Sequence, residues 1–248
     1  MTTILVTGGT GTLGRLVTER LGARGHEVRV LSRHAQPYAV DLRTGAGLDA
    51  AVAGVDTAVH CASAPRGDEE AARNLVAALR QAGVGHLVYI SIVGVDEVPL
   101  GYYKHKYAVE RIVEESGLGW TVLRATQFHD LVVSVLQGLA RTPLLMPVPA
   151  GVADQPIEVA EVADRLAALA EGAPAGRVPD MGGPEVLGFP ELARAYLRAT
   201  GRRRRIVPVR LAGATYQALR AGRHLTPERA VGRGTFAEYL AKRFGPAS

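Results

Sequence analysis

The sequence of 248 residues predicts an α/β protein built on a doubly wound parallel sheet, and three observations lead to this fold class. The apolar segment ILVT runs directly into a glycine-rich segment, GGTGTLG. Apolar strand patterns and amphipathic helix patterns then alternate through the first half of the chain. The helical patterns are long enough to connect parallel strands, and right-handed connections place helices on both faces of a sheet.

The elements of the first half follow from their patterns of apolar residues. Strands are expected at 4–7, 27–32, 38–42, 56–63, 86–94 and 120–126. Helices are expected at 15–25, 47–54, 68–83 and 102–117. The third helix begins with acidic residues and ends on glycine, as helix termini favour.

The alternation becomes irregular beyond residue 127. Helices are expected at 127–140, 157–172 and 189–201. Residues 141–151 are interpreted as a connection interrupted by prolines, and a later strand, IVPV, follows a basic turn. The chain shows no long linker, no repeat and no low-complexity segment.

The segment after the first strand carries a glycine pattern that suits a dinucleotide. It contains Gly8-x-x-Gly11-x-x-Gly14 and, overlapping it, Gly9-x-Gly11-x-x-Gly14. Without Cβ atoms the backbone can turn sharply, approach a pyrophosphate and pack the helix against the strand. The first N–H groups of the helix then face the phosphates. This context predicts a Rossmann dinucleotide site, and the alternative is an empty turn kept for packing.

The end of the second strand favours NADP(H) over NAD(H). An NAD site usually has Asp or Glu at this place to bind the ribose 2′-hydroxyl. Here Ser32 is followed by Arg33 and His34, and the next carboxylate along the chain is Asp41. A guanidinium beside a hydroxyl suits a 2′-phosphate, because its fork of donors matches phosphate oxygens. The alternative is that Arg33 is an ordinary solvated loop residue.

These patterns predict one continuous nucleotide-binding unit over 1–248. Its dinucleotide-binding core is expected at about 1–126, and a small C-terminal substrate-side lobe at 127–248 is interleaved with it.

The composition is that of an ordinary globular protein, with 47% hydrophobic and 21% charged residues. The formal net charge of +5 is modest, and the basic run Arg202–Arg205 is interpreted as a solvated loop, so no nucleic-acid partner is expected. No apolar run reaches the roughly 18 residues of a membrane span, so no membrane partner is expected. Cys61 is the single cysteine, which favours a cytoplasmic location and a buried, unreactive thiol. No spacing of His, Cys and carboxylates suits a metal, and none is expected.

Three polar residues in the central stretch are the candidate catalytic set. Ser91 lies near the carboxyl end of a strand, where open α/β sheets place their sites. Tyr102 and Lys106 are four residues apart and share a helix face. An ammonium near a phenol is expected to lower the tyrosine pKa and suit it to acid–base work. Tyr103 is the competing acid, and a Tyr–Lys pair on an exposed helix face is the alternative without function.

At this point the chain resembles the atypical short-chain dehydrogenase/reductases, and more closely their NmrA-like NAD(P)H-binding group with its quinone-oxidoreductase and isoflavone-reductase relatives. The resemblance lies in TGGTGTLG, the Ser91, Tyr102 and Lys106 set, SIVGVD, WTVLRATQFHD and two later segments, PIEVAEVADRLAAL and GGPEVLGFPEL. The glycine spacing is of the extended, atypical form. The resemblance implies cofactor contacts at Thr7, Gly8, Thr10, Gly11, Thr12, Leu13, Gly14, Ser32, Arg33, Asp41, Leu42, Ala62, Ser63, Lys106, Gln127 and Phe128.

Three functions follow from this reading. The first is an NADPH-dependent oxidoreductase that passes hydride to a small carbonyl, enone or quinone, with Tyr102 as acid, Lys106 as its tuner and Ser91 as substrate orienter. The second is a sensor of NADP(H) without catalysis, and the third is a non-redox cyclase, dehydratase or epimerase. His129 is expected near the substrate, His60 is expected to be a core residue, and the chain is expected to be a monomer or a homodimer.

Overall fold

The computed structural model describes residues 1–64 and 66–245, and these residues form two compact units. The first unit comprises residues 1–91, 101–124 and 159–179. The second unit comprises 92–100, 125–158 and the described residues from 180 onwards. Each unit is therefore assembled from separate segments of the chain.

The regular elements of the described residues are numbered in chain order. The strands are β1 Thr3–Thr7, β2 Glu27–Leu31, β3 Thr57–His60, β4 His86–Ile92, β5 Gly119–Ala125, β6 Leu145–Pro149, β7 Ala153–Asp154, β8 Gly176–Arg177, β9 Leu187–Gly188 and β10 Arg205–Val209. The helices are α1 Thr12–Ala23, α2 Leu48–Val52, α3 Asp68–Gln81, α4 Gly101–Glu114, α5 His129–Leu139, α6 Val159–Glu171, α7 Phe189–Ala199, α8 Ala214–Arg220 and α9 Phe236–Phe244.

The first unit is built on a six-stranded sheet in the order β2-β1-β3-β4-β5-β8. Strand β1 pairs in parallel with β2 on one side and with β3 on the other. The strand order therefore reverses beside β1, and ligands of open α/β sheets bind at the carboxyl ends of the strands at such a point. Helix α1 packs against α6, and α3 packs against α4. This architecture confirms the predicted doubly wound Rossmann fold.

The central strands are buried on both faces, which explains their nearly unbroken apolar runs. Leu5, Ala58 and Leu87 lie in one apolar cluster with Leu75 of α3 and Val109 of α4. The neighbouring residues of each strand point to the opposite face, because side chains alternate along a strand. The same helix–strand alternation that predicted the fold thus fills its core.

Residues 38–42, predicted as a strand, form a loop with a single parallel bridge between Ser32 and Ala39. The apolar alternation that suggested a strand has another cause: Val40 and Leu42 are buried in the apolar cluster beneath the loop. Beyond them, the N–H groups of Thr44 and Gly45 bond to the Asp41 carbonyl and close a turn.

The segment 141–151, predicted as an irregular connection, contains β6, which pairs in parallel with β10 in a sheet of two strands. Prolines are compatible with strands at a sheet edge, where one side of the strand needs no N–H donors. Helices α8 and α9 were not anticipated either. Helix α9 begins with a capping box, in which Thr235 Oγ1 accepts the Glu238 N–H and the Glu238 carboxylate accepts the Thr235 N–H.

The second unit has its own apolar core. Leu136 of α5, Leu192 and Tyr196 of α7, and Phe236 and Leu240 of α9 are buried together there. Strands β7 and β9 form a short antiparallel pair in the same unit. Within the described residues, no helix has both the length and the apolar character needed to cross a membrane.

Candidate functional site

The first unit contains a cavity of about 560 Å³ that we call the glycine cavity, because the Gly8–Gly11 turn forms one wall. Its other walls come from the end of β2, the loop at 40–43, and residues 60–64 and 66–68 between β3 and the start of α3. These are the carboxyl ends of β1, β2 and β3, the place that the strand order indicates for a ligand. The volume lies within the range of roughly 300–1,000 Å³ that is typical of ligand sites.

The glycines of the turn have different tasks. Gly8 has a φ of +65°, and a Cβ there would lie 2.7 Å from the Ala62 Cα. A Cβ on Gly14 would overlap the Gly8 carbonyl oxygen. These two glycines are therefore required by the fold itself. Gly11 lines the cavity, and a Cβ there would meet only the Gly8 oxygen, at 3.2 Å.

The turn presents the start of α1 to the cavity. Gly11 is the N-cap residue, and its N–H donates to the Gly8 carbonyl at 2.9 Å. No described side chain caps this helix end. The N–H groups of the first helical turn have no partner within the helix, and with the helix dipole they favour an anion. A glycine turn that leaves space and an uncapped helix N-terminus fit the pyrophosphate of a dinucleotide.

The rim of the glycine cavity is positively charged. Arg33, Arg43 and Arg66 line it. Arg43 donates to Asp41 at 3.0 Å and holds the pKa of that carboxyl below its usual range. Arg33 and Arg66 contact no carboxylate in the part of the chain that the structure describes. The first acidic residue that follows the second strand is thus already paired with Arg43, while Arg33 and Arg66 form no ion pair at contact distance among the described residues.

Asp68, at the start of α3, organises the floor of the cavity. One carboxylate oxygen accepts the Ala64 N–H at 2.6 Å, and the other accepts the Ser63 hydroxyl at 2.8 Å. The Ser63 oxygen also lies 3.0 Å from the Tyr102 hydroxyl. Sequence reasoning assigned Asp68 only to the acidic first turn of a helix, because the contact with Ser63 depends on the loop between them.

Tyr102 differs from its predicted state. Partial burial raises the pKa of its phenol, the charge on Asp68 raises it further, and the hydrogen bond with Ser63 opposes both. The prediction that Lys106 lowers this pKa is therefore wrong. The four-residue spacing brings both residues to α4, but Tyr102 is 38% exposed whereas Lys106 is buried. Tyr103, the competing acid, is also buried.

Lys106 is held inside the first unit. Its Nζ donates to the Ile90 carbonyl at 2.9 Å and lies 4.4 Å from the centre of the Tyr89 ring. Burial lowers its pKa to about 8. The neighbouring Ser91 hydroxyl is buried and has no hydrogen-bond partner among the described residues. In the described structure, Ser91, Tyr102 and Lys106 form no hydrogen bond with one another.

A buried ion pair fixes the helix that carries these residues. Arg124 of β5 donates to both carboxylate oxygens of Glu110 in α4, at 2.8 and 2.7 Å. Both side chains are almost fully buried. Loss of one partner from such a pair typically costs about 3–5 kcal/mol, because the other charge stays buried. Sequence reasoning did not find this contact, since the residues belong to separate elements.

The predicted cofactor residues fall into three groups. Those that line the glycine cavity are Gly8, Thr10, Gly11, Ser32, Arg33, Asp41, Leu42, Ala62 and Ser63. Those that belong to the first unit but not to the cavity wall are Thr7, Thr12, Leu13, Gly14 and Lys106. Thr7 is fully buried, and its hydroxyl pairs with His60 Nδ1 at 2.7 Å. Gln127 and Phe128 belong to the second unit, where the Gln127 carbonyl accepts the Ile157 N–H.

His129 was predicted near the substrate, and the structure instead buries it at the start of α5. Only 1% of the residue is exposed, and its ring lies 5.0 Å from Tyr239 and 5.7 Å from Phe236. Its Nδ1 lies 3.8 Å from the Glu158 carboxylate, so the ring has an acidic neighbour as well as aromatic ones. The place of His129 beside a substrate stays a prediction. Sequence position alone could not show which way the ring points.

Two further residues lie at the end of β3. His60 is a core residue, as predicted, and burial lowers its pKa to about 3. Cys61, predicted to be buried, is partly exposed and lines the glycine cavity, while desolvation raises the pKa of its thiol to about 12 and so disfavours the reactive thiolate. Among the described residues, no group of His, Cys, Asp and Glu is arranged to hold a metal ion.

Comparison with known proteins agrees with this architecture. The NAD(P)H-binding family model matches residues 8–171, and the chain belongs to this family as an NmrA-like atypical short-chain dehydrogenase/reductase. The uncharacterized protein Rv2047c of Mycobacterium tuberculosis is 32% identical over an alignment of 169 residues, and the alignment covers 63% of this chain. The match covers only 18% of that longer relative.

Two further similarities are informative. The (4-alkanoyl-5-oxo-2,5-dihydrofuran-3-yl)methyl phosphate reductase of Streptomyces griseus is 32% identical over an alignment of 217 residues. The alignment covers 80% of this chain and 74% of that protein. The crystal structure of an NADPH-dependent quinone oxidoreductase from Escherichia coli, solved with NADPH, superposes with a TM-score of 0.81 at 19% identity. That match covers 97% of this chain and 99% of the other, and at this identity it shows the shared fold.

Proposed function

We propose that this protein is an NADPH-dependent reductase of a small carbonyl, enone or quinone, with its coenzyme in the glycine cavity. The observation that carries the proposal is the cavity itself, where the Gly8–Gly11 turn and the uncapped start of α1 offer a phosphate cradle. The reductase and quinone-oxidoreductase names of the relative and the solved structure described above support the same class of reaction.

The charges at the rim support NADPH in particular. Arg33 and Arg66 form no ion pair at contact distance among the described residues, and Asp41, which would repel a 2′-phosphate, is paired with Arg43 and also lies within the electrostatic reach of Arg33. A guanidinium matches phosphate oxygens in both charge and geometry. We assign the 2′-phosphate to Arg33 and the pyrophosphate to the turn at Gly8, Thr10 and Gly11.

Tyr102 is the proposed proton donor. A bound nicotinamide coenzyme supplies a hydride, and so two electrons, to the carbonyl carbon or to the β-carbon of an enone. The Tyr102 phenol is protonated at neutral pH and can give its proton to the developing oxyanion, and its raised pKa makes it a weaker acid than a free phenol in the described structure. The Ser63 hydroxyl donates its own hydrogen bond to Asp68, so its oxygen accepts the hydrogen bond of the Tyr102 hydroxyl and holds that hydroxyl in place. After the transfer, a proton returns to Tyr102 from solvent.

Lys106 and Ser91 take supporting roles in this scheme. Lys106 donates to the carbonyl of Ile90. The next residue in the chain is Ser91, whose buried hydroxyl has no hydrogen-bond partner among the described residues. A buried hydroxyl without a partner carries an unmet hydrogen-bonding demand, which a substrate oxygen can satisfy. We assign Ser91 to substrate orientation, Lys106 to the coenzyme ribose, and the second unit to the substrate-side lobe.

One observation favours a second function, sensing of NADP(H) without turnover. Tyr102 contacts Ser63, and Ser91 and Lys106 make no hydrogen bond with it in the described structure. A protein that only binds the nucleotide needs the glycine cavity but has no use for an assembled set of catalytic side chains. The two functions share the cavity and differ in turnover.

The test is consumption of NADPH with a panel of quinones, enones and ketones by wild type and Tyr102→Phe. We expect turnover in the wild type and a fall of roughly 10²–10⁴ in the variant, the usual contribution of a positioned acid, with unchanged affinity for NADPH. Tyr107→Phe is the matched control, since Tyr107 lies on the same helix with a similar exposure of 39%. NADPH binding without turnover of any compound would reject the reductase and leave the sensor.

A further inference from the structure

The second unit contains a cavity of about 780 Å³ whose wall is dominated by arginine. It is formed by the last turns of α7, the turn that follows, and the start of β10. We call it the arginine cavity, after the six residues Arg194, Arg198, Arg202, Arg203, Arg204 and Arg205. The sequence showed a run of four arginines, and the structure adds two from the neighbouring helix.

The positive charge of the arginine cavity is not balanced. No acidic residue lines it, and in the described part of the chain none of its six arginines forms an ion pair with a carboxylate. Arginines elsewhere do so, as Arg20 does with Asp164 and Arg111 with Glu115. The six arginines carry six positive charges, which is more than the formal net charge of +5 of the whole chain.

The arrangement is partly fixed by the backbone. Arg204 is half-buried, and it donates from Nε to the Thr142 carbonyl at 2.9 Å and from Nη1 to the Arg203 carbonyl at 2.8 Å. The apolar side chains of Leu197 and Ile206 contribute to the wall. A helix C-terminus favours basic residues, but its partial charge of about half a unit accounts for one arginine such as Arg198 and not for six.

We propose that the arginine cavity binds a small soluble molecule that carries two or more phosphate groups. Guanidinium groups pair their N–H donors with phosphate oxygens, and several of them around one concavity suit a multiply charged anion. No aromatic side chain lines the wall, whereas sites for single-stranded nucleic acid use aromatic residues to stack bases. The depression is shallow and open to solvent, so a vesicle measurement is needed to distinguish a soluble ligand from a lipid headgroup. This proposal is independent of the reductase function.

The proposal is tested by calorimetric titration with inorganic tripolyphosphate. Wild type is compared with the double variant Arg202→Gln, Arg203→Gln. The control is Arg165→Gln, Arg210→Gln, which removes the same charge at two exposed residues outside the cavity wall. We expect saturable binding by the wild type and the control, and affinity at least tenfold weaker in the cavity variant. Binding should weaken as sodium chloride is raised, and NADPH affinity should stay equal in all three proteins.

Thermal unfolding without ligand separates loss of the site from loss of the fold. The cavity variant should unfold at the same temperature as the wild type or higher, because repulsion between neighbouring guanidinium groups is reduced. Equal tripolyphosphate affinity in the three proteins, or no saturable binding by the wild type, would overturn the proposal. Binding to vesicles of phosphatidylglycerol or to single-stranded RNA, without competition by tripolyphosphate, would also overturn it and assign the surface to a lipid or nucleic-acid partner.

Discussion

The glycine cavity and the arginine cavity are built in opposite ways. In the first unit the wall is mainly backbone and small side chains, and its acidic groups are already engaged, Asp41 by Arg43 and Asp68 by Ser63. In the second unit the wall is mainly long basic side chains without acidic partners among the described residues. Under the two proposals above, the first site would select its ligand by shape and a few placed donors, and the second by charge.

The largest effect is expected at Lys106, which tests how the first unit tolerates a buried charge. Burial lowers its pKa from 10.5 to about 8 in the folded protein, so between these values the unfolded chain binds more protons. The stability of the wild type relative to Lys106→Met should therefore rise with pH across this window, by about 3 kcal/mol in total. Urea unfolding from pH 7 to 10.5 measures this difference.

Lys104→Met is the matched control for that measurement, because Lys104 is exposed on the same helix. A stability difference between wild type and Lys106→Met that does not change with pH would show that the lysine is not desolvated. That result would contradict the buried position of the Lys106 ammonium inside the first unit.

A smaller effect is expected at Arg33, which tests whether the rim of the glycine cavity recognises a 2′-phosphate. Arg33→Ala should weaken NADPH binding about tenfold and leave NADH binding nearly unchanged, since only NADPH offers a phosphate to the guanidinium. Arg80→Ala, at the far end of α3 and outside the cavity wall, is the control. An equal loss of affinity for NADPH and NADH would show that Arg33 does not bind the 2′-phosphate, so that this phosphate binds elsewhere or NADH is the coenzyme.

The sequence predicted the first unit better than the second for physical reasons. Strands buried on both faces and helices that end on glycine leave strong local patterns, and the glycine turn has a defined spacing. The strand predicted at 38–42 was wrong because loop side chains such as Val40 are buried as strand residues are. In the second unit, the TFAE segment at the start of α9 matches the capping-box pattern and could have predicted that helix. The strand β6 was missed because its prolines are unusual in strands.

The candidate site was predictable only where it depends on local sequence. Gly8, Gly11 and Arg33 belong to recognisable local patterns, and they line the cavity. The contact between Tyr102 and Ser63 joins residues 39 positions apart, so no local pattern reveals it. Burial and the charge on Asp68 raise the pKa of Tyr102 against the effect of that contact, and neither cause can be read from the local sequence, so the predicted direction of the shift was wrong.

The central claim is that a nicotinamide coenzyme lies against the glycine turn, and titration of NADPH into Gly11→Val tests it most directly. Gly11 has an ordinary backbone conformation, with a φ of −78°, and its added side chain would occupy the cavity rather than the core. Gly22→Val is the control, since Gly22 lies in the same helix with open space around it. The account predicts that Gly11→Val stays folded and loses NADPH binding while Gly22→Val retains it. Unchanged NADPH affinity in a folded Gly11→Val protein would contradict it.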